Sequence, residues 1–295
     1  MIIKGKYDWY DPQSGLSDQA KSVFNVLPNL KELPHVPTYV MELQALTEKE
    51  GTTSKQLASV VKKAPLLASK LLIIANQMRQ NTGSRIDSLE HAISYIGLTS
   101  FKDMILLAVV HTWEVPCKIF SRDRFWDSAF TTGDLSEILA KKFAPHLIQD
   151  AAYLAGTLAN IGKITQAMMD PGLADRIASD LENVKILGTW TEGEGRHHGY
   201  SHTILGEIAA SFWGFPIYAI EAIANHHSIP QSMFDEKFTM TEIVALANQL
   251  THWVELNPHR IDETLMSALL ERFKATQPEM EQLVADYLSQ SKKSA

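Results

Sequence analysis

Apolar residues recur along this chain three and four positions apart, the spacing that lines one face of a helix. Thr53 followed by Gln56 has the form of a capping box and opens a segment with Leu57, Val60 and Val61 on one side. Pro65 suits the first turn of the next helix, whose stripe is Leu67, Leu71, Ile74 and Ala75. Asp87 with Glu90 predicts a further cap ahead of Ala92, Tyr95 and Ile96, and Gly97 predicts a helix end. Met104 to Val110 is apolar nearly all round, as a buried helix must be.

Downstream, one helix is expected over 125–143, with Phe125, Ala129, Leu135, Ile138 and Leu139 inward. A single helix over 151–169 carries Leu154, Leu158, Ile161, Thr165 and Met168 in register and stops at Pro171-Gly172. Ser201 is placed to cap a helix with Leu205, Ile208, Ala209 and Phe212 that ends at Gly214. Pro216 opens the next, striped by Ile217, Ile220, Ile223 and Ala224, and another runs from about Thr241 to Val254. Thr276-Gln277-Pro278-Glu279 is a capping box for a last helix with Met280, Leu283, Val284 and Leu288. Alternation of period two never extends beyond a few residues, and no repeat of 20–50 residues occurs. The fold class expected is all-α.

The stretch from Asp180 to Gly199, with glycines at 188, 193, 195 and 199, reads as a long loop of the kind that carries function. Weak boundaries fall at Glu114 to Arg124 and at Asn257-Pro258-His259.

Composition narrows the partners. The 295 residues are 45% apolar and 21% charged, within the globular range and long enough to bury a sizeable core. Lys and Arg number 27 against 34 Asp and Glu, a net charge of −7. Lys62, Lys63 and Lys70 make only a small basic patch that reads as a solvated helix face, so nucleic acid is not an expected partner. Cys117 stands alone, which excludes an internal disulfide or a multi-cysteine zinc site and fits a reducing cytoplasm. The segment Met1 to Asp8 has no apolar core for a secretory signal, and Met104 to Val110 falls far short of the ~20 residues a bilayer span needs. A soluble cytoplasmic chain without a membrane partner is expected. Trp9 and Tyr10 suit either a partner surface or the packing of the N-terminal arm.

Of 11 histidines, five fall between Gly195 and Ser228: His197, His198, His202, His226 and His227. His202 precedes Leu205 and Ala209 by three and seven positions, and His227 follows Ile223 and Ile220 by four and seven, so both face inward. Two helices joined by Gly214-Phe215-Pro216 could bring these imidazoles together, with Glu194 adding a carboxylate. A histidine on an apolar face is more commonly a hydrogen-bonded core residue than a ligand, and His197-His198 read as decoration of a glycine-rich segment. Gly-rich phosphate loops, His-Glu-x-x-His and Gly-x-Ser-x-Gly are all missing. Cys117 has no histidine and a single lysine among its neighbours, too little to make it a nucleophile.

Leu33-Pro34-His35-Val36-Pro37, Leu57 through Asn76, and Ile86 through Leu98 together resemble the opening of the HDOD domain, the HD-related output domain of bacterial signalling proteins. Phe125-Trp126-Asp127-Ser128 continues the likeness, where relatives carry Trp-x-His-Ser. Leu158-Ala159-Asn160-Ile161-Gly162-Lys163 stands where HD phosphohydrolases have Leu-His-Asp-Ile-Gly-Lys. Gly199-Tyr200-Ser201-His202, Gly206, Trp213 through Pro216 and Ala222 through His227 complete a match over roughly 25–255.

The resemblance implies an N-terminal helical bundle over 1–115, a degenerate HD-like helical bundle over 116–255 and a C-terminal helical extension over 256–295. It also implies a lost catalytic centre. HD enzymes hold metal with histidines and the His-Asp pair so that bound water becomes a nucleophile. Here the matching positions are Ser128, Ala159, Asn160 and, late in the chain, Asn248. No catalytic residue and no resident metal are therefore expected. His202, His226, His227 and Glu194 remain as candidates for a weakly held divalent ion. The function implied is a non-catalytic signal-transduction or regulatory module acting through a protein partner or a small nucleotide-like ligand. The alternative is a residual metal-dependent phosphohydrolase acting on nucleotides or cyclic dinucleotides.

Overall fold

Short-range capping signals place most of the helix starts. In the computed structural model, which describes residues 15–27, 33–79, 85–182, 189–228 and 237–291, all regular structure among those residues is helical. The segment from Met1 to Asp8, with Trp9 and Tyr10, lies outside the described residues. The first six helices are α1 (Asp18–Val26), α2 (Thr38–Thr47), α3 (Ser54–Val61), α4 (Pro65–Arg79), α5 (Leu89–Ile96) and α6 (Leu98–Val110). Thr53 and Gln56 form the capping box of α3, and Pro65 begins α4. The cap of α5 is Ser88 rather than Asp87: the Ser88 hydroxyl accepts from the His91 N–H at 3.1 Å. Gly97, at φ 80°, turns α5 directly into α6, a backbone angle that a side chain would strain.

The chain continues through α7 (Arg122–Phe143), α8 (Gln149–Leu158), α9 (Ile161–Met169), α10 (Pro171–Leu181) and α11 (Trp190–Arg196). Then come α12 (His202–Trp213), α13 (Ile217–Asn225), α14 (Met240–Val254), a 3-10 turn at Pro258–Arg260, α15 (Glu263–Phe273) and α16 (Gln277–Ser291). Two expectations are corrected here. The helix foreseen over 151–169 is broken into α8 and α9 at Ala159 and Asn160, where Asn160 leaves helical geometry at φ −97°, ψ 12°. Periodicity hides the break because Leu158 and Ile161, on either side of it, are both fully buried. The loop foreseen over 180–199 instead contains the end of α10 and all of α11, with 183–188 outside the described residues. Thr189 and Glu192 form a capping box that starts α11 despite its two glycines. Pro171 likewise opens α10, capped by Asp170, whose carboxylate accepts from the Leu173 N–H at 2.8 Å.

Each of the seven residues from Met104 to Val110 is 2% exposed or less, so α6 is covered on all sides. A fully buried aliphatic side chain contributes roughly 1.5–3 kcal/mol, enough to make this segment a central post. One apolar core joins it to α3, α4, α5, the start of α7, α8, α9, α12 and α13. A second core gathers Leu135 and Leu139 of α7 with Leu246 and Leu250 of α14, Leu269 of α15 and Met280 of α16. The two meet along α7, α8 and α14. No helix among the described residues is long and apolar enough to cross a membrane.

Candidate functional site

Close packing at a glycine sets the site. A Cβ on Gly206 of α12 would meet Ile223 Cγ2 of α13 at 2.7 Å, so these helices pack without a side chain between them. His202, the first residue of α12, is thereby held fully buried beside α13. Glu194 of α11 reaches it from the other side. Its Oε1 accepts from the His202 backbone N–H at 2.6 Å and from the ring Nδ1–H at 3.0 Å. Gln166 of α9 donates to the same oxygen at 3.3 Å and to the Tyr200 carbonyl at 2.9 Å, and it accepts from Trp190 Nε1–H at 2.9 Å. Glu194 Oε1 thus orients His202 within a chain of donors, while Glu194 Oε2 is buried without a hydrogen-bond partner.

His226 and His227 close α13. Both His202 and His226 are 0% exposed, and His227 is half-buried. The His226 Nδ1–H donates to the Ile223 carbonyl at 2.9 Å, which leaves Nε2 as the lone-pair nitrogen. That Nε2 is buried with no hydrogen-bond partner. His227 Nε2 lies 3.2 Å from His202 Nε2. One ligand atom from each of the three rings falls within 4.8 Å of the others, as the inward spacing of His202 and His227 predicts. Glu194 does not join that set. His197 pairs instead with Asp180 at 2.8 Å, and His198 is exposed at φ 54°; neither belongs to the cluster.

Burial is the main influence on the three imidazoles and on Lys163. It drives the His226 ring down to about 3, helped by the neighbouring His202 and Lys163 charges. His227 is pushed well down for the same reason, with His226 and His202 adding to it. For His202, burial outweighs the opposing pull of Glu194, so the ring is also held low. Burial brings Lys163 of α9 down to about 8 against the attraction of Glu194 and Glu255. The three rings are therefore neutral donors of nitrogen lone pairs at neutral pH.

The positions matching an HD pair lie at the α8–α9 break. Ala159 is fully buried, and Asn160 Nδ2–H donates to Asn248 Oδ1 of α14 at 2.7 Å. Ser128 of α7 faces Glu255 just beyond α14. Burial alone would raise the Glu255 carboxyl, but the nearby His252 ring, the Ser128 hydroxyl and the Lys163 charge hold it below its usual range. His252 and Glu255 form a polar group that sequence reading misses, although their separation of three residues on one helix face is a signal for it. Gln166 and Trp190 are missed too, since only the fold brings Gln166 of α9 to Glu194 and Trp190 of α11. Cys117 lies 3.8 Å from the Ala167 carbonyl, and burial with the Asp175 charge pushes its thiol up to about 11, which keeps it unreactive.

These donors do not fit a centre built on a His-Asp pair. A methyl group and two neutral amides supply neither a charged ligand nor a proton acceptor at that place. The three imidazoles, on the α12–α13 side, are a separate set of nitrogen donors.

Among known proteins, the family model of the HDOD domain matches residues 33–229, more than half of the chain. No curated protein matches. Among solved structures, an HDOD domain protein of unknown function from Geobacter sulfurreducens superposes with a TM-score of 0.64 at 18% identity, covering 92% of each chain. A Shewanella amazonensis SB2B protein provisionally named a phosphohydrolase gives 0.64 at 19% identity, over 89% of this chain and 94% of that one. A Marinobacter aquaeolei VT8 protein provisionally named for signal transduction gives 0.70 at 18% identity, over 96% of this chain and 66% of that one.

Proposed function

The chain belongs to the HDOD domain family, and from that membership we propose that it is a non-catalytic signal-transduction module working through a protein partner in the bacterial cytoplasm. The observation that carries the reading is the Asn160–Asn248 hydrogen bond at 2.7 Å beside the fully buried Ala159. Water attacks phosphorus readily only when a metal lowers its pKa or a base takes up its proton. At this place two neutral amides are joined by a single hydrogen bond, and neither can take up a proton at neutral pH. The absence of a membrane-spanning helix among the described residues agrees with action in solution. The likeness to the Marinobacter protein named for signal transduction points the same way.

The test is hydrolysis. Purified protein, incubated with nucleotides and cyclic dinucleotides in the presence of divalent ions, is expected to release no product beyond the His202→Ala variant. Turnover by the natural sequence that vanishes in His202→Ala would overturn the reading. With no turnover, capture of a partner by the full chain, lost on substitution at a surface position, identifies the output.

A further inference from the structure

Three imidazoles converge where an isolated hydrogen-bond network cannot satisfy them. His202 gives its Nδ1–H to Glu194 and His226 gives its Nδ1–H to the Ile223 carbonyl. Their Nε2 atoms are therefore both lone-pair acceptors. His227 Nε2, 3.2 Å from His202 Nε2, can carry a proton for that one neighbour. His226 Nε2 then remains buried without a donor. A single cation among the three nitrogens satisfies all of them at once.

We propose that His202, His226 and His227 form a mononuclear site for a divalent transition-metal ion of the zinc class, with Glu194 as the positioning residue that fixes the His202 ring. Zinc–nitrogen bonds of about 2.0–2.1 Å in tetrahedral geometry set ligand nitrogens about 3.3 Å apart. The His202–His227 separation of 3.2 Å already meets that spacing, and all three ligand atoms lie within 4.8 Å. Neutral imidazoles suit zinc, cobalt, nickel or copper; magnesium and calcium require oxygen ligands. A carboxylate that accepts the other ring N–H of a ligating histidine is the usual outer partner of such a site. Glu194 has that geometry, and Gln166 and Trp190 hold it in turn. The Asn160–Asn248 pair lies at the α8–α9 break and contributes no charged ligand. The ion would therefore be held by nitrogen on one side only, a binding site without the second metal or carboxylate base of a hydrolase. This inference goes beyond the signalling reading and names an inorganic ligand that such a module could sense or use to lock α13 onto α12.

The experiment uses the full chain without a histidine tag, stripped by chelator and titrated with zinc or with cobalt, whose visible spectrum reports nitrogen ligation in a tetrahedral field. One ion per chain is expected for zinc and cobalt, and none for magnesium. His226→Ala and His227→Gln are each expected to weaken binding at least 100-fold. Glu194→Gln should keep the stoichiometry while weakening affinity about 10–100-fold. His198→Gln, at an exposed position, should leave it unchanged. If His226→Ala fails to fold by circular dichroism, His227→Gln at its half-buried position decides the matter. Folded natural protein that takes up no zinc, His227→Gln binding as tightly as the natural chain, or loss of binding in His198→Gln each overturns the proposal. Failure here leaves the signalling reading standing, whereas hydrolysis would defeat that reading and leave this site intact.

Discussion

A Cβ built on Gly162 of α9 would stand 1.7 Å from the carbonyl oxygen of His202 on α12. The two backbones touch, and no residue with a side chain fits at 162 without moving one helix. Gly162→Ala is therefore expected to lower stability by about 1–3 kcal/mol through overpacking and to displace His202 with its helix. Gly195→Ala, in α11, has nothing within 4 Å of the new methyl. It should gain up to about 1 kcal/mol from helix propensity. Urea midpoints of the two variants measure the contrast; equal midpoints would contradict the close approach.

The amide pair at the α8–α9 break can be read by a double-mutant cycle. Asn248→Ala removes the acceptor of Asn160 Nδ2–H and leaves a buried donor unpaired, at a cost of about 1–3 kcal/mol. Asn160→Ala strands Asn248 Oδ1 in the same way. The combined variant removes both ends, so its cost should fall short of the sum by roughly 0.5–1.5 kcal/mol. Strict additivity in urea unfolding would mean that the two side chains do not interact.

Locally encoded features were readable in the sequence, and features with distant causes were not. The Thr53–Gln56 capping box, the Glu279 carboxylate that accepts from Thr276 at the start of α16 and the left-handed Gly214 are decided within a few residues, and each is where the pattern places it. Ser88 displaces Asp87 as a cap because the two are adjacent and only one can occupy the position before the helix. At the break, Asn160 bonds Asn248, which lies 88 positions away, and the buried Leu158 and Ile161 on either side keep the periodicity of one helix. The inward faces of His202 and His227 were readable from apolar spacing, and they do meet. The roles of Gln166 and Trp190 depend on the approach of α9, α11 and α12, which no local pattern records.

Asp134 of α7 is buried, and Tyr287 of α16 donates to its Oδ2 at 2.9 Å. Burial raises this carboxyl well above its usual range, the Tyr287 hydrogen bond opposes that, and Glu137 adds to it. Above pH 4 the unfolded chain has released the Asp134 proton while the folded chain retains it. Stability therefore declines as pH rises through the window between the two values. Asp134→Asn removes the titration and keeps an acceptor for Tyr287. Its Tm should exceed that of the natural chain by a few degrees at pH 7, with the gap closing toward pH 4. A gap that widens on acidification would refute the assignment.

His111, at the end of α6, is 6% exposed, with its ring 4.5 Å from Trp126 and 5.4 Å from Phe130. Burial drives its pKa down to about 3, and the Lys70 and Arg122 charges push in the same direction. Below pH 6.5 the unfolded chain binds a proton that the folded one refuses, so stability falls with acidification until the folded value is reached. The ring Nδ1 is also buried without a partner, so an aromatic hydrocarbon in its place sacrifices no hydrogen bond there. His111→Phe keeps the ring contacts and removes the titration. At pH 7 its Tm should equal or exceed that of the natural chain. Between pH 7 and pH 4.5 it should lose less Tm than the natural chain, because one of the buried imidazoles that resist protonation is gone. Parallel Tm-versus-pH curves for the two proteins would show that His111 takes no part in the acid lability, and the packing of α6 against α7 would then have to admit water at that ring.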